Sequence, residues 1–390
     1  MQRTTRRLRS RLFTWAATAL LGASLAAGAT AAPRSHPAAH ADRAAHAPRH
    51  VFVIVLENEP FQVTFGAHSP APYLAHDLPK QGALLTQYFA IGRYSLNNYI
   101  AMISGQAPNP ETQDDCRVFS EFVRSKPGFD GNGQIRGHGC VYPADVKTLA
   151  DQLQDAGFTW KGYMEDMGKD PAREAAACGH AKIGEVDETN HASVRDQYAD
   201  KHDPFVYFHS IIDDEANCAA HVVNLDALSK DLQSAATTPN FAYIVPNLCH
   251  DGHDAPCKDG EPGGLISADR FLREWVPPIL ASPAFKQNGV LIITFDEGTD
   301  AAACCGETRP KGAPLPGKFG PGGGRVGAVV LSPWAKPGTV SHKPYNHYSL
   351  LRSIEDWFAL PHLGYAGQKG LRPFGRDVFT REPAADQQEL

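Results

Sequence analysis

Val51-Phe52-Val53-Ile54-Val55-Leu56 runs without a polar residue straight into Glu57-Asn58. Six consecutive apolar side chains, most of them β-branched, suit a strand covered on both faces, because a strand with one wet face would alternate. The pattern recurs. Leu291-Ile292-Ile293-Thr294-Phe295 leads into Asp296-Glu297-Gly298, and Phe241-Ala242-Tyr243-Ile244-Val245 leads into a polar stretch over 246–254. Residues 326–331 form a fourth candidate strand. Between them lie segments with apolar residues at helical spacing. One covers 145–156, with Val146, Leu149 and Leu153 on one face, Asp145 as N-cap and Gly157 as the stop; others cover 225–235, 267–275 and 347–358. Alternation of such strands and helices predicts an α/β sandwich around a mostly parallel sheet, with a site beyond the carboxyl ends of the strands.

The N-terminus has a different character. Residues 1–11 carry five arginines and no acid, and an apolar run follows, ending near Ala29-Thr30-Ala31. This is the pattern of a cleaved export signal over 1–31, with an apolar run too short for a permanent membrane span. Arg6-Arg7 suggests the twin-arginine route, while Arg9 and Ser10 stand where that route prefers apolar residues, so the general secretory route stays open. Residues 32–49 mix Ala, Pro, His and Arg without periodicity and read as a flexible leader. A catalytic domain is expected over 50–365 and a C-terminal tail over 366–390. Loss of residues 1–31 takes the formal charge from −6 to −11, since five arginines and no acid leave. So acidic a surface argues against nucleic acid as a partner, and an anionic substrate needs local positive charge from a metal or histidines. The expected location is periplasmic or extracellular, without stable membrane insertion.

All eight cysteines lie beyond residue 31, and no CxxC pair occurs among them. In an exported chain an even count predicts disulfides rather than a thiolate metal site. Proximity favours Cys116 with Cys140, Cys178 with Cys218 and Cys249 with Cys257, leaving adjacent Cys304 and Cys305 to bridge each other or find other partners.

Chemistry follows from residue types at the strand exits. Glu57, Asn58, Asp296 and Glu297 are hard oxygen donors suited to Mg, Ca or Mn, with Zn also open. Ser95, in Arg93-Tyr94-Ser95-Leu96-Asn97-Asn98-Tyr99, stands just before an apolar stretch at helical spacing. A helix N-terminus there favours an anion, and a coordinated cation would help the hydroxyl ionise; the plainer reading is an N-cap serine. Asn98 is a candidate donor to phosphate. Asn247, His250, Asp251, His253 and Asp254 crowd one loop, where they complete a second metal position or where His250 and His253 serve as general acids. His347 opens the last amphipathic helix and is a further candidate. GxSxG, HExxH and GxxxxGK[ST] patterns are absent, which argues against acyl hydrolase, zincin and NTPase chemistry.

Taken in order, these motifs resemble the bacterial phosphoesterase family of acid phosphatases and phospholipases C, within the alkaline-phosphatase-like superfamily. The resemblance is carried by Glu57-Asn58-Glu59-Pro60-Phe61, the Ser95 segment, Trp160–Met167, Lys201-His202-Asp203-Pro204-Phe205, the 246–254 loop, Asp296-Glu297-Gly298 and His347-Tyr348-Ser349. The sequence departs from the family pattern at Gln62, Tyr94 and Asn97. The resemblance implies a three-layer α/β/α sandwich, with Glu57, Asn58, Ser95, Asp296 and Glu297 around a divalent metal. It adds Asn98, His202, His250, His253 and His347 as phosphate or second-site contacts, His202 on the resemblance alone. Asn247, where the wider superfamily has an acid, implies one metal rather than two. Also implied are in-line attack by Ser95, a phosphoserine intermediate and release by water. The expected substrate is a small phosphate monoester, as in acid phosphatases. A phospholipase C acting on phospholipid head groups is the alternative, and a secreted metal- or phosphate-binding protein without turnover is the alternative of another class.

Overall fold

The computed structural model describes residues 48–306 and 308–380, so the expected signal peptide, most of the leader and the end of the tail lie outside the described residues. One eight-stranded sheet organises the rest. Its strands are β1 (His50–Leu56), β2 (Ala83–Leu85), β3 (Trp160–Met164), β4 (Val222–Asn224), β5 (Phe241–Val245), β6 (Gly289–Phe295), β7 (Ala328–Leu331) and β8 (Thr339–Ser341). They lie in the order β8-β2-β7-β6-β1-β5-β3-β4, and only β7 runs against the others. The sheet is the mostly parallel one expected, and β1, β5 and β6 at its centre are buried along their whole length. Continuous apolar runs are what such central positions require.

The helices that matter for the site are α1 (Ser95–Ser104), α2 (Leu149–Asp155), α3 (Ala227–Asp231), α4 (Gly264–Ala281) and α5 (His347–Phe358). Register places layers on both faces of the sheet. Val53 of β1 pairs with Tyr243 of β5, and the Tyr243 ring lies 6.5 Å from that of Tyr99 on α1. Phe52, one residue before Val53 and so on the opposite face, lies 6.5 Å from Phe285 in the helix Pro283–Asn288. α1, α2 and α5 pack against one another, and α4 packs with Pro283–Asn288. An α/β sandwich results.

Four local expectations are corrected. The helix sought over 145–156 begins later: Thr148 caps it, its hydroxyl accepting from Asp151 N at 3.2 Å while Asp151 Oδ2 accepts from Thr148 N at 2.7 Å. Asp145 instead pairs with Arg124. The helix sought over 225–235 is only Ala227–Asp231, because the Thr237 and Thr238 hydroxyls each donate to Asp231 O at 2.9 Å and close its end. The helix sought over 267–275 runs on through Pro277-Pro278 to Ala281. The strand sought from residue 326 starts at Ala328, since Val326 N is spent on Tyr88 O.

Cys116–Cys140, Cys178–Cys218 and Cys249–Cys257 are bonded as expected, and Cys304–Cys305 form the vicinal bridge. Packing continues past residue 365: Phe374, Val378 and Phe379 are buried, and Asp377 accepts from the Tyr345 hydroxyl at 2.9 Å.

Candidate active site

Leu56 of β1 stands opposite Phe295 of β6, so Glu57 and Asp296 leave the sheet side by side. Asp296 N donates to Leu56 O at 2.8 Å, and Asn58 N donates to Asp296 Oδ1 at 3.0 Å. Asn58 adopts φ 62°, which lets its side-chain amide donate to Glu57 Oε2. On the other flank, β5 delivers the loop 246–254, whose Asp251 O accepts from Glu57 N at 2.8 Å. Glu57, His202 and Asp251 thereby present ligand atoms within 4.8 Å of one another, with His202 Nε2 3.0 Å from Glu57 Oε1.

Ser95 opens α1 from the other direction. Tyr94 before it is held at φ 68° and ψ 153°, a conformation costly for a residue with a side chain. Asn98 supports it. Its Oδ1 accepts from Ile91 N and Gly92 N at 2.9 Å, and its Nδ2 donates to Gly92 O at 3.0 Å and Tyr94 O at 2.9 Å. The turn aims the Ser95 hydroxyl at Glu57, to which it donates, and Tyr94 N at Glu297 Oε2, 2.9 Å away. Ser95 is therefore not an N-cap: it is the first helical residue, and its hydroxyl bonds a carboxylate at the exit of β1.

A cavity of about 420 Å³ opens on Ser95, Asn58 and Glu297. Four cationic side chains line it. Arg93 Nε lies 3.2 Å from Glu297, Lys201 Nζ 3.4 Å from Asp115, and His253 Nδ1 2.9 Å from Asp254; Lys318 Nζ sits 4.1 Å over the Tyr94 ring. On an acidic chain this is a local concentration of positive charge, and Arg93, Lys201 and Lys318 supply most of it in place of the histidines expected.

Burial and crowding set the ionisation of the acids. Burial, reinforced by Glu57 and Glu297, pushes Asp296 well up; burial and Glu57 do the same to Asp251; and burial raises Glu297 to about 8 despite Arg93. Burial also works against the Glu57 charge, but His202, Lys201 and His253 outweigh it and hold Glu57 well below the usual range. The hydrogen bond to Asp254 raises His253 to about 9.

Among the described residues, Asp296 Oδ2 and Asp251 Oδ2 are buried without a hydrogen-bond partner. Together with Glu57, Asn58 and Glu297 they make an oxygen-rich set with more negative charge than its surroundings compensate, which is the donor chemistry of a hard divalent cation.

The other sequence candidates sit elsewhere. Asn98 spends its amide on the 91–94 turn and does not reach the cavity. His202 is buried, stacked on Tyr99 with ring centroids 5.0 Å apart, and bears on Glu57 rather than on the cavity. His250 Nδ1 is 2.8 Å from Glu165, and its ring faces Phe271. His347 is fully buried, with Nε2 2.6 Å from Asp296 O and Nδ1 3.1 Å from the Tyr88 hydroxyl, and burial lowers it to about 4. Of the four histidines, only His253 lines the cavity. Arg93, Lys201, Asp115 and Lys318 line the cavity but are not among the candidates the sequence offers. The first two stand inside quoted motifs, next to Ser95 and His202; the last two lie in loops with no local signal.

The chain is 24% identical over 316 residues to a probable acid phosphatase of Kluyveromyces lactis, covering 80% of this chain and 59% of that protein. It is 25% identical over 317 residues to a phosphatidylinositol-3-phosphatase of Mycobacterium tuberculosis, covering 81% and 79% respectively. A non-specific phospholipase C1 of Arabidopsis thaliana matches at 30% over 141 residues, 31% of this chain and 26% of that protein. The chain spans 51–59% of the length of the first three acid phosphatases it matches. Among solved structures, an alkaline phosphatase superfamily protein from Vibrio parahaemolyticus aligns with a TM-score of 0.46 and 15% identity, covering 85% of this chain and 72% of that one. At that score the likeness carries no functional implication. The phosphoesterase family profile matches residues 69–361, a span that includes Ser95, His253, Asp296 and Glu297. The chain belongs to the phosphoesterase family.

Proposed function

We propose that the protein is an exported, divalent-metal-dependent acid phosphatase that hydrolyses phosphate monoesters through a phosphoserine intermediate at Ser95. One observation carries this reading: the Ser95 hydroxyl, at the start of α1, donates to Glu57 inside an oxygen-rich cluster that borders a cation-lined cavity. The acid phosphatase relatives support the monoester, and the disulfides support export.

Glu57, Asn58, Asp296 and Glu297, with Ser95 Oγ, would hold the cation. Bound there, it would lower the pKa of the hydroxyl and offset charge on the phosphoryl oxygens. Arg93 and Lys201 draw the phosphate in against the acidic surface and fix its orientation. The positive end of the α1 helix dipole stabilises the same oxygens. Ser95 Oγ bonds to phosphorus as the bond to the ester oxygen breaks, and the hydroxyl proton leaves toward Glu57. His253, protonated in acid and neutral solution, gives its proton to the departing alkoxide. Water then attacks the phosphoserine and gives its proton to His253, while the bond from phosphorus to Ser95 Oγ breaks and Glu57 returns its proton to the serine oxygen, releasing orthophosphate. His347 and His202 act as positioning residues, on the Asp296 backbone and on Glu57.

A second reading is favoured by the phosphatidylinositol-3-phosphatase match, which spans 79% of that protein: the monoester is carried on a lipid head group rather than on a small molecule in solution.

The test is an assay of the mature protein with p-nitrophenyl phosphate, its bis ester, a phosphoinositide monophosphate and phosphatidylcholine, before and after chelation and with Mg, Ca, Mn or Zn restored. Monoester turnover that chelation removes and a divalent ion restores is expected, with kcat reduced at least about a thousandfold in Ser95→Ala. Phosphatidylcholine cleavage would point to a phospholipase C instead, and phosphate binding without turnover to a binding protein.

A further inference from the structure

The strand β6 and the strand β7 are joined by a long glycine-rich connection that returns over the start of α1. Its base is tightly fixed. Arg93 N donates to Pro316 O at 2.9 Å, Gln113 Nε2 donates to Leu315 O at 2.8 Å, and Gly317 N donates to Gly320 O at 3.0 Å. A Cβ on Gly317 would fall 2.1 Å from Gly322 O, and one on Gly320 2.5 Å from the Ala301 Cβ, so this turn closes only with glycine at those positions. Between these two glycines stand Lys318, at φ 62°, and Phe319. Both line the cavity.

Phe319 is 92% exposed. A lone exposed aromatic on a protein surface calls for no explanation. This one is held by a close-packed turn at the mouth of the cavity that contains Ser95, near the Tyr94 ring, which lines the same space and carries Lys318 on one face. Leaving a phenyl ring in water forgoes the favourable free energy of burying it. A substrate that covers the ring recovers part of it. Among the described residues Lys318 has no carboxylate partner, so its ammonium is available to the anionic end of a ligand. The cavity has room for a phosphate and one fused ring system.

We propose that the 318–319 tip selects the leaving group: Phe319 stacks on the aromatic body of an aryl phosphate monoester while Lys318 faces its phosphate. This rests on the phosphoesterase reading of the same cavity and adds to it the chemical class of the ester. No covalent step beyond that reading is involved, because the tip acts only on binding and orientation.

The experiment compares 2-naphthyl phosphate with glycerol 2-phosphate in the wild type, Phe319→Ala and Phe319→Trp, taking the ratio of the two kcat/KM values in each protein. The wild type is expected to favour the aryl ester. Phe319→Ala should lower the ratio about tenfold, through KM for the naphthyl ester, which corresponds to losing roughly half of a phenyl ring's burial. Phe319→Trp should restore it. An unchanged ratio in Phe319→Ala, or a wild type that favours glycerol 2-phosphate, overturns the inference while leaving phosphoesterase activity standing. A wild type that hydrolyses neither ester overturns the underlying reading and the inference with it. Melting curves of the variants should coincide, since the side chain is exposed; a lowered melting temperature together with equal losses on both esters would assign Phe319 a structural role and count against the proposal.

Discussion

At Ser95 the chemistry turns on which neighbour can move a proton, and His253 is the histidine that lines the cavity with a raised pKa, to about 9, through its bond to Asp254. A raised value keeps the ring charged below pH 9 and lets it lose its proton above. Turnover should therefore persist through acid and neutral pH and fall as pH rises through about 9. His253→Gln should remove that alkaline limb and reduce kcat about a hundredfold for glycerol 2-phosphate, whose alkoxide needs the proton, but far less for p-nitrophenyl phosphate. Equal losses on both esters would sink the general-acid role. Legibility in the sequence was uneven at this scale. Ser95, Glu57, Asn58, Asp296 and Glu297 were readable because each follows or precedes an element with a strong apolar pattern. Asn98 was misjudged because a side-chain amide bonded to its own preceding turn leaves no periodic trace. Arg93 and Lys201 went unnoticed because a surface cation becomes a phosphate contact only through what the fold brings opposite it.

Element ends were harder to read than element cores. The helix α2 is capped by Thr148 with Asp151 in a reciprocal pair, the Thr-x-x-Asp spacing that signals such a box. Asp145 competes for the role on sequence alone, three residues earlier with an apolar residue after it. Thr148→Ala is expected to cost about 1 kcal/mol and lower the urea midpoint without changing the m-value. Asp145→Ala, which removes an exposed pair with Arg124, should stay within about 0.5 kcal/mol. The reverse order would restore the earlier boundary. The long central strands and α5 were legible because five or more buried positions repeat one pattern. β2, β4 and β8, each three residues long, are too short to show any period and depend on the sheet already being there.

Across the molecule, the closing segment is tied back to the sheet edge. Asp377 accepts from Ser341 of β8, from the Tyr345 hydroxyl at 2.9 Å, and from Lys343, 3.1 Å away. Burial alone would raise its pKa, but these bonds prevail and lower it. A lowered carboxylate stabilises the fold above its unfolded value, near 4, and that contribution disappears as pH falls through the folded value. Asp377→Asn should thus melt below the wild type at pH 6, with the gap narrowing below about pH 4. A gap independent of pH would mean that packing, not charge, secures this segment. On sequence, residues after 365 read as a tail because they follow the last amphipathic helix. Strand order was likewise invisible, since β1 and β6 meet across more than two hundred residues, and only that meeting sets Glu57 beside Asp296.

The central claim is that Ser95 takes the phosphoryl group. The direct measurement is rapid acid quench of the metal-loaded protein during turnover of p-nitrophenyl phosphate, followed by peptide mass spectrometry. The account predicts a phosphoryl group on the peptide containing Ser95, absent in Ser95→Ala. A phosphoryl group on a different residue, or steady turnover by Ser95→Ala, would contradict it.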